Sequence, residues 1–138
     1  MVREQTLRRL HAVLLDNLAD LRRYRTRISR DELRSDRDAQ HLVLHALYVA
    51  VQASVDMALH VGADLGLAQT ASYQDAFRHL GAAGQLDPEL ATRLTGWAGL
   101  RNVLAHFYPV VDYDRVHDAL LELSDLEDFA AWISAKLG

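Results

Sequence analysis

The sequence predicts an all-α fold, an up-down bundle of four to five helices forming one domain over residues 1–138. Three observations lead there. Apolar residues recur at three- and four-residue steps along almost the whole chain, the spacing that lines one face of a helix. No stretch alternates apolar and polar residues between turn signals, as a half-buried strand would. Two prolines and seven glycines are few enough to leave room for long regular elements.

The first element carries Leu7, Leu10, Leu14, Leu18, Leu21, Tyr24 and Ile28 as one stripe, with Arg8, Arg9, Asp16, Asp20 and Arg23 on its other face. A second helix is expected to start at Ser35, where Asp38 three residues on completes a capping-box pattern with Asp in place of Glu or Gln. Its run bears two stripes, Leu44, Tyr48, Val51, Val55 and Leu59, then Leu47, Ala50, Ser54 and Met57. A helix apolar on two sides belongs in the middle of a bundle, and Ala50 and Ser54 permit close packing. Gly62 and Gly66 mark its end.

Ser72 with Asp75 opens a short helix through Phe77 and Leu80, and Gly81-Ala82-Ala83-Gly84 reads as a turn. Asp87-Pro88 is a cap followed by proline at the first helical position. That helix runs through Leu90, Leu94, Trp97 and Leu100 toward His106, and Pro109 should end it. Asp112 caps a last segment in which Val116, Leu120, Leu123, Leu126, Phe129, Ile133 and Leu137 keep helical spacing.

Composition narrows the function. The length suffices for a core of its own, and the absence of cysteine excludes a disulfide framework or a thiolate metal site. The N-terminus has no apolar signal-peptide region. The longest stretch without formal charge, Ala39 to Val55, falls short of the about 20 apolar residues a bilayer span needs. A cytoplasmic protein without a membrane segment is expected. The net charge of −4 argues against a general nucleic-acid binder. The charge is uneven, however: Arg22, Arg23, Arg25, Arg27, Arg30, Arg34 and Arg37 cluster together, with Asp31, Glu32 and Asp36 among them.

The segment that carries chemistry is Arg101-Asn102-Val103-Leu104-Ala105-His106-Phe107-Tyr108. Histidine moves protons near neutral pH, and arginine presents a fork of donors matched to phosphate oxygens. Five residues of ideal helix leave Arg101 and His106 roughly 140° apart, whereas Asn102 and His106, four apart, share a face. Asn102 could orient the imidazole or hold a phosphate oxygen. An Arg and a His at a helix end can equally do no more than complement its dipole.

This segment resembles the R-x4-H-x-Y signature of the HepT-like toxins of the HEPN superfamily. The likeness continues in Val51-Gln52-Ala53-Ser54-Val55-Asp56-Met57-Ala58, which looks like the family's central helix. It extends to Ser72-Tyr73, to Gly96-Trp97-Ala98-Gly99-Leu100 and to the last helix, nearly the whole chain. The resemblance implies a homodimer whose paired motifs face each other across a cleft, and an endoribonuclease that needs no metal and no cofactor. Arg101 would then bind the scissile phosphate, His106 would act as general acid or base, and Asn102 would match the polar position after the arginine. It also implies a nucleotidyltransferase antitoxin of the MntA type, which would attach AMP to Tyr108. The substrate would be RNA, tRNA among the candidates. Phe107 departs from the charged residue many relatives carry. A binding module without catalysis, a HEPN-like dimer that only docks and is modified by its nucleotidyltransferase, remains the alternative.

Other residues are candidates for roles around this segment. Arg30, Arg34 and Arg37 are candidates for RNA phosphate contacts or for local ion pairs. Asp56, the single formal charge between Ala39 and Ala63, either pairs with a site residue or is solvated. His41 and His45 have two-ligand spacing but no third ligand, so no metal is expected. Trp97 and Trp132 read as core or interface anchors.

Overall fold

The computed structural model describes residues 2–67, 72–106 and 111–138. Seven helices follow one another: α1 (Val2–Arg27), α2 (Arg30–Ser35), α3 (Arg37–Asp64), α4 (Tyr73–Ala82), α5 (Pro88–His106), α6 (Tyr113–Leu120) and α7 (Ser124–Leu137). Five of them have ten or more residues, α2 and α6 being short, and no strand occurs among the described residues.

Local chemistry sets most of these boundaries. Ser29, not Ser35, opens the segment after α1. Its Oγ accepts from Glu32 N at 3.1 Å and Glu32 Oε1 accepts from Ser29 N at 3.3 Å, a full capping box around α2. Asp36 then caps α3 through the amides of Asp38 and Ala39. The expected start at Ser35 is thus displaced by one residue. Ser35 ends α2, with its hydroxyl donating to Asp31 O. The carboxylate of Asp36 is the stronger acceptor for free amides at a helix start.

Ser72, Asp87 and Asp112 cap α4, α5 and α6 as their positions suggest. At the end of α3, Gly66 takes φ 72° while Leu67 N donates to Gly62 O and Gly66 N to Ala63 O. The same paired bonds recur at Gly84, φ 73°, after α4. Both are Schellman ends, where glycine adopts the left-handed backbone at little cost.

The expected single last helix is two. The chain bends at Leu121–Leu123 and restarts at Ser124. Leu120, Leu123 and Leu126 are fully buried on both sides of the bend, so helical spacing survives the break.

The central helix is α3, which packs against α1, α2, α4, α5 and α7. Val43, Leu47, Val51, Val55 and Met57 are fully buried on it. Phe77 of α4 meets Phe129 of α7 edge-on at 5.5 Å, and Phe129 stacks on Trp132 at 5.7 Å. Among the described residues one helix, α3, is long and apolar enough to cross a bilayer, further than the uncharged stretch suggested, but 61% of its most apolar window is buried inside the bundle.

Several polar connections tie the periphery, and two of them join more than two side chains. Arg30 and Arg34 of α2 grip Asp114 and Asp118 of α6, with Arg34 Nε to Asp114 Oδ1 at 2.8 Å and Arg30 Nη2 to Asp118 Oδ1 at 2.5 Å. These partners lie 80 or more residues away in sequence. In the second, the buried Asp125 of α7 accepts from Arg93 Nε at 2.8 Å and from Trp97 Nε1 at 3.1 Å, holding α5 against α7.

Candidate active site

Arg101 lies on the last turns of α5, where that helix crosses the middle of α3. The guanidinium is half-buried and held from several sides. Its Nε donates to Gln52 Oε1 at 2.7 Å, Nη2 to Tyr48 Oη at 3.2 Å and Nη1 to Asn102 Oδ1 at 3.3 Å. Two aromatic rings flank it, Tyr73 at 4.6 Å from ring centre to Cζ and Tyr48 at 5.3 Å. Such ring faces attract a guanidinium.

Among the described residues these contacts engage three of its five N–H groups, leaving two for an anion. Behind Gln52, the amide Nε2 donates to Asp56 Oδ1 at 2.9 Å. Asp56 thereby fixes which way the Gln52 amide points, so that its oxygen faces Arg101. Asp56, the single formal charge between Ala39 and Ala63, thus acts on the arginine through one intermediary.

Asn102 Oδ1 accepts from Arg101 Nη1, so the amide donors of Asn102 are not used in that contact. His106 ends α5 and is exposed, on the face it shares with Asn102. Tyr108, with Phe107 and Pro109, lies outside the described residues.

The three motif residues that are described thus share one helix end. Arg101 is anchored, and the imidazole is open to solvent. Sequence reasoning did not find Gln52, Tyr48 and Tyr73 as partners of Arg101. Tyr48 read as an apolar stripe position, and a chain separation of 49 residues hides the Gln52 contact.

The other candidates lie elsewhere. Arg30 and Arg34 are engaged with α6, and the nearby carboxylates hold both guanidinium groups above their ordinary value: for Arg30, Asp118 first and then Asp114, and for Arg34, Asp114. Arg37 opens α3 and is exposed. His41 and His45 are exposed on α3, beside a groove against α1. Among the described residues no group of three His, Cys, Asp or Glu is placed to hold a metal ion.

Arg101 and His106 thus lie five residues apart on α5, the arginine seated against the central helix α3 and the histidine exposed, within an all-α bundle. Residues 14–133 match the Ribonuclease HepT-like family, and the chain belongs to that family. A tRNA nuclease HepT of Aphanizomenon flos-aquae (strain 2012/KM1/D3) is 32% identical over 93 residues, which are 67% of this chain and 63% of that protein. The match therefore spans just under two thirds of that relative's length. A tri-AMPylated Shewanella oneidensis HEPN toxin in complex with MNT antitoxin shares the fold with a TM-score of 0.84, at 23% identity over 94% of this chain and 97% of that one. A toxin–antitoxin structure with AMP-PNP gives 0.86 at 22% identity, covering 95% and 98%.

Proposed function

We propose that this protein is an endoribonuclease toxin that cuts RNA without a metal ion, and that a nucleotidyltransferase antitoxin of the MntA type restrains it. The observation that carries this is the seating of Arg101 by Gln52, Tyr48 and Tyr73 beside an exposed His106. A merely dipole-complementing arginine needs no such cradle.

In the proposed reaction the two uncommitted N–H groups of Arg101 hold the non-bridging oxygens of the scissile phosphate. They stabilise the extra charge as the phosphorus becomes five-coordinate. The ribose 2′-oxygen attacks in line as His106 takes its proton. The bond to the 5′-oxygen breaks, and a protonated imidazole supplies the proton that oxygen needs. A second copy of the chain brings the second histidine, so a homodimer provides base and acid together. The products are a 2′,3′-cyclic phosphate and a 5′-hydroxyl. Asn102, through its amide donors, holds the phosphate or His106.

AMP attached at Tyr108, two residues beyond His106, would place a bulky anion at this helix end and repel RNA. The relatives seen with an MNT antitoxin and with AMPylation support this part of the reading. tRNA is the first substrate to test, given the relative's name. Exposed Arg37 is available to phosphates outside the site, whereas Arg30 and Arg34 would first have to leave their carboxylates. The cytoplasm, where RNA and the antitoxin meet, is the proposed compartment.

The deciding experiment incubates wild type and His106→Ala with total RNA in EDTA and maps the new ends. Cleavage by wild type alone, with cyclic phosphate ends, supports the reading. Equal cleavage by both proteins overturns it, and no cleavage by clean unmodified wild type favours a docking module.

A further inference from the structure

A groove of about 420 Å³ runs between α1 and the first turns of α3, lined by Asn17, Asp20 and Tyr24 on one wall and by Asp38, His41 and His45 on the other. Leu42, 49% exposed, and Ala46 complete it. Its volume is in the range of small-ligand sites.

Its place on α3 relates it to Arg101. His45 precedes Tyr48 by three residues and Gln52 by seven, and His41 precedes Tyr48 by seven. The four therefore share one helix face. At about 1.5 Å per residue, His45 is about 4.5 Å and His41 about 10.5 Å from Tyr48 along the axis. The exposed face of α3 leads from the arginine cradle straight into the groove.

The lining is suited to a flat ring with a polar edge. Two exposed imidazoles offer rings on which an unstacked base can lie, while the Tyr24 ring, with the Arg23 guanidinium over it at 5.7 Å, lines the wall beside them. The polar edge is made of acceptors. Asn17 Nδ2 is spent on Val13 O at 2.9 Å, leaving Oδ1. Asp20 Oδ1 is bound to Arg23 at 2.9 Å, leaving Oδ2. The Asp38 carboxylate adds another. Carboxylates repel a phosphate but accept from a base amine, so it is the base and not the backbone that fits here.

We propose that the α1–α3 groove binds a nucleobase of the RNA strand next to the scissile phosphate, and that it prefers bases bearing an exocyclic amine over uracil. This rests on the ribonuclease reading for its place in the reaction, but the binding can be measured apart from it.

The test uses the His106→Ala protein, which keeps the groove intact, with fluorescent hexacytidine and hexauridine followed by anisotropy. Hexacytidine is expected to bind more tightly. A further His45→Ala change should weaken hexacytidine about tenfold, the loss typical of one stacked base, and His45→Phe should restore it by returning a ring. Asp20→Asn with Asp38→Asn should narrow the gap between the two oligonucleotides. If His45→Ala leaves affinity unchanged, if the two oligonucleotides bind alike, or if neither binds, the groove proposal is overturned. Failure of the ribonuclease reading would show separately, as equal RNA cleavage by wild type and His106→Ala.

Discussion

Arg101 Nε donates to Gln52 Oε1 at 2.7 Å, and this bond joins the motif helix to the central helix. It turns a long, flexible side chain into a group with one orientation. Preorganisation of this kind matters most where charge develops during a reaction. Replacing Gln52 by Ala should therefore lower RNA cleavage about tenfold to a hundredfold, the range of a hydrogen bond to a charged group. The thermal midpoint should move little, since Gln52 is only half-buried. Initial rates for wild type and Gln52→Ala on one RNA decide the matter. Equal rates would mean that the cradle plays no part.

The two rings beside Arg101 make separable contributions. Tyr73 contacts it through its ring face alone, and Tyr48 through ring and hydroxyl. Tyr73→Phe should keep activity, and Tyr73→Ala should lose about fivefold or more from the lost cation–π contact. Tyr48→Phe should fall between wild type and Tyr48→Ala. A series of cleavage rates across the four variants checks the order.

Asp125 carries stability rather than chemistry. It is 8% exposed and serves both Arg93 and Trp97. Asp125→Ala orphans the buried Trp97 Nε1 and should cost about 1–3 kcal/mol in urea unfolding. Arg93 is half in solvent, which keeps the figure below that of a fully buried pair. An unfolding midpoint unchanged by the substitution would contradict the assignment.

The clasp between α2 and α6 sets a pH dependence. Hydrogen bonds from Arg34 and then Arg30, with their positive charge, hold the Asp114 carboxyl below its ordinary value of 3.8. A carboxyl lowered on folding contributes stability that is present above its unfolded value and lost as pH falls through the folded one. The raised values of Arg30 and Arg34 act only far above neutrality. Thermal midpoints measured between about pH 2 and pH 6 should fall less steeply for Asp114→Asn than for wild type. The effect is small, because the groups are exposed and screened.

Two helical glycines should respond oppositely to alanine. A Cβ on Gly81 of α4 would come 2.8 Å from the Ala91 Cβ of α5, forcing the helices apart at about 1–3 kcal/mol. A Cβ on Gly96 of α5 meets nothing within 4 Å, so Gly96→Ala should stabilise by about 0.5–1 kcal/mol through helix propensity. Paired denaturation curves test both signs.

What could be read beforehand followed the range of the forces involved. Ser72, Asp87 and Asp112 act on amides two or three residues away, so their caps were visible in the chain. At Ser35 and Asp36 two adjacent capping residues competed, and the expectation fell on the wrong one. The bend at Leu121–Leu123 has no glycine or proline to announce it, and burial of leucines on both sides is a property of the packed core. The arginines of α2 suggested partners nearby. Arg34 does bond Asp31, but its Nε and the Arg30 guanidinium reach across to α6.

The sequence by itself determined the all-α class, the central place of α3 and the motif from Arg101 to Tyr108, because periodicity, caps and spacing act between near neighbours. Only the tertiary structure decided that Arg101 is seated by Gln52, Tyr48 and Tyr73, that Asp56 acts through Gln52, and that α1 and α3 enclose a groove beside them. Those contacts depend on the rotation of each helix about its axis and on which faces the core brings together. That rotation is set by packing of the whole bundle, and no local stretch of residues contains it.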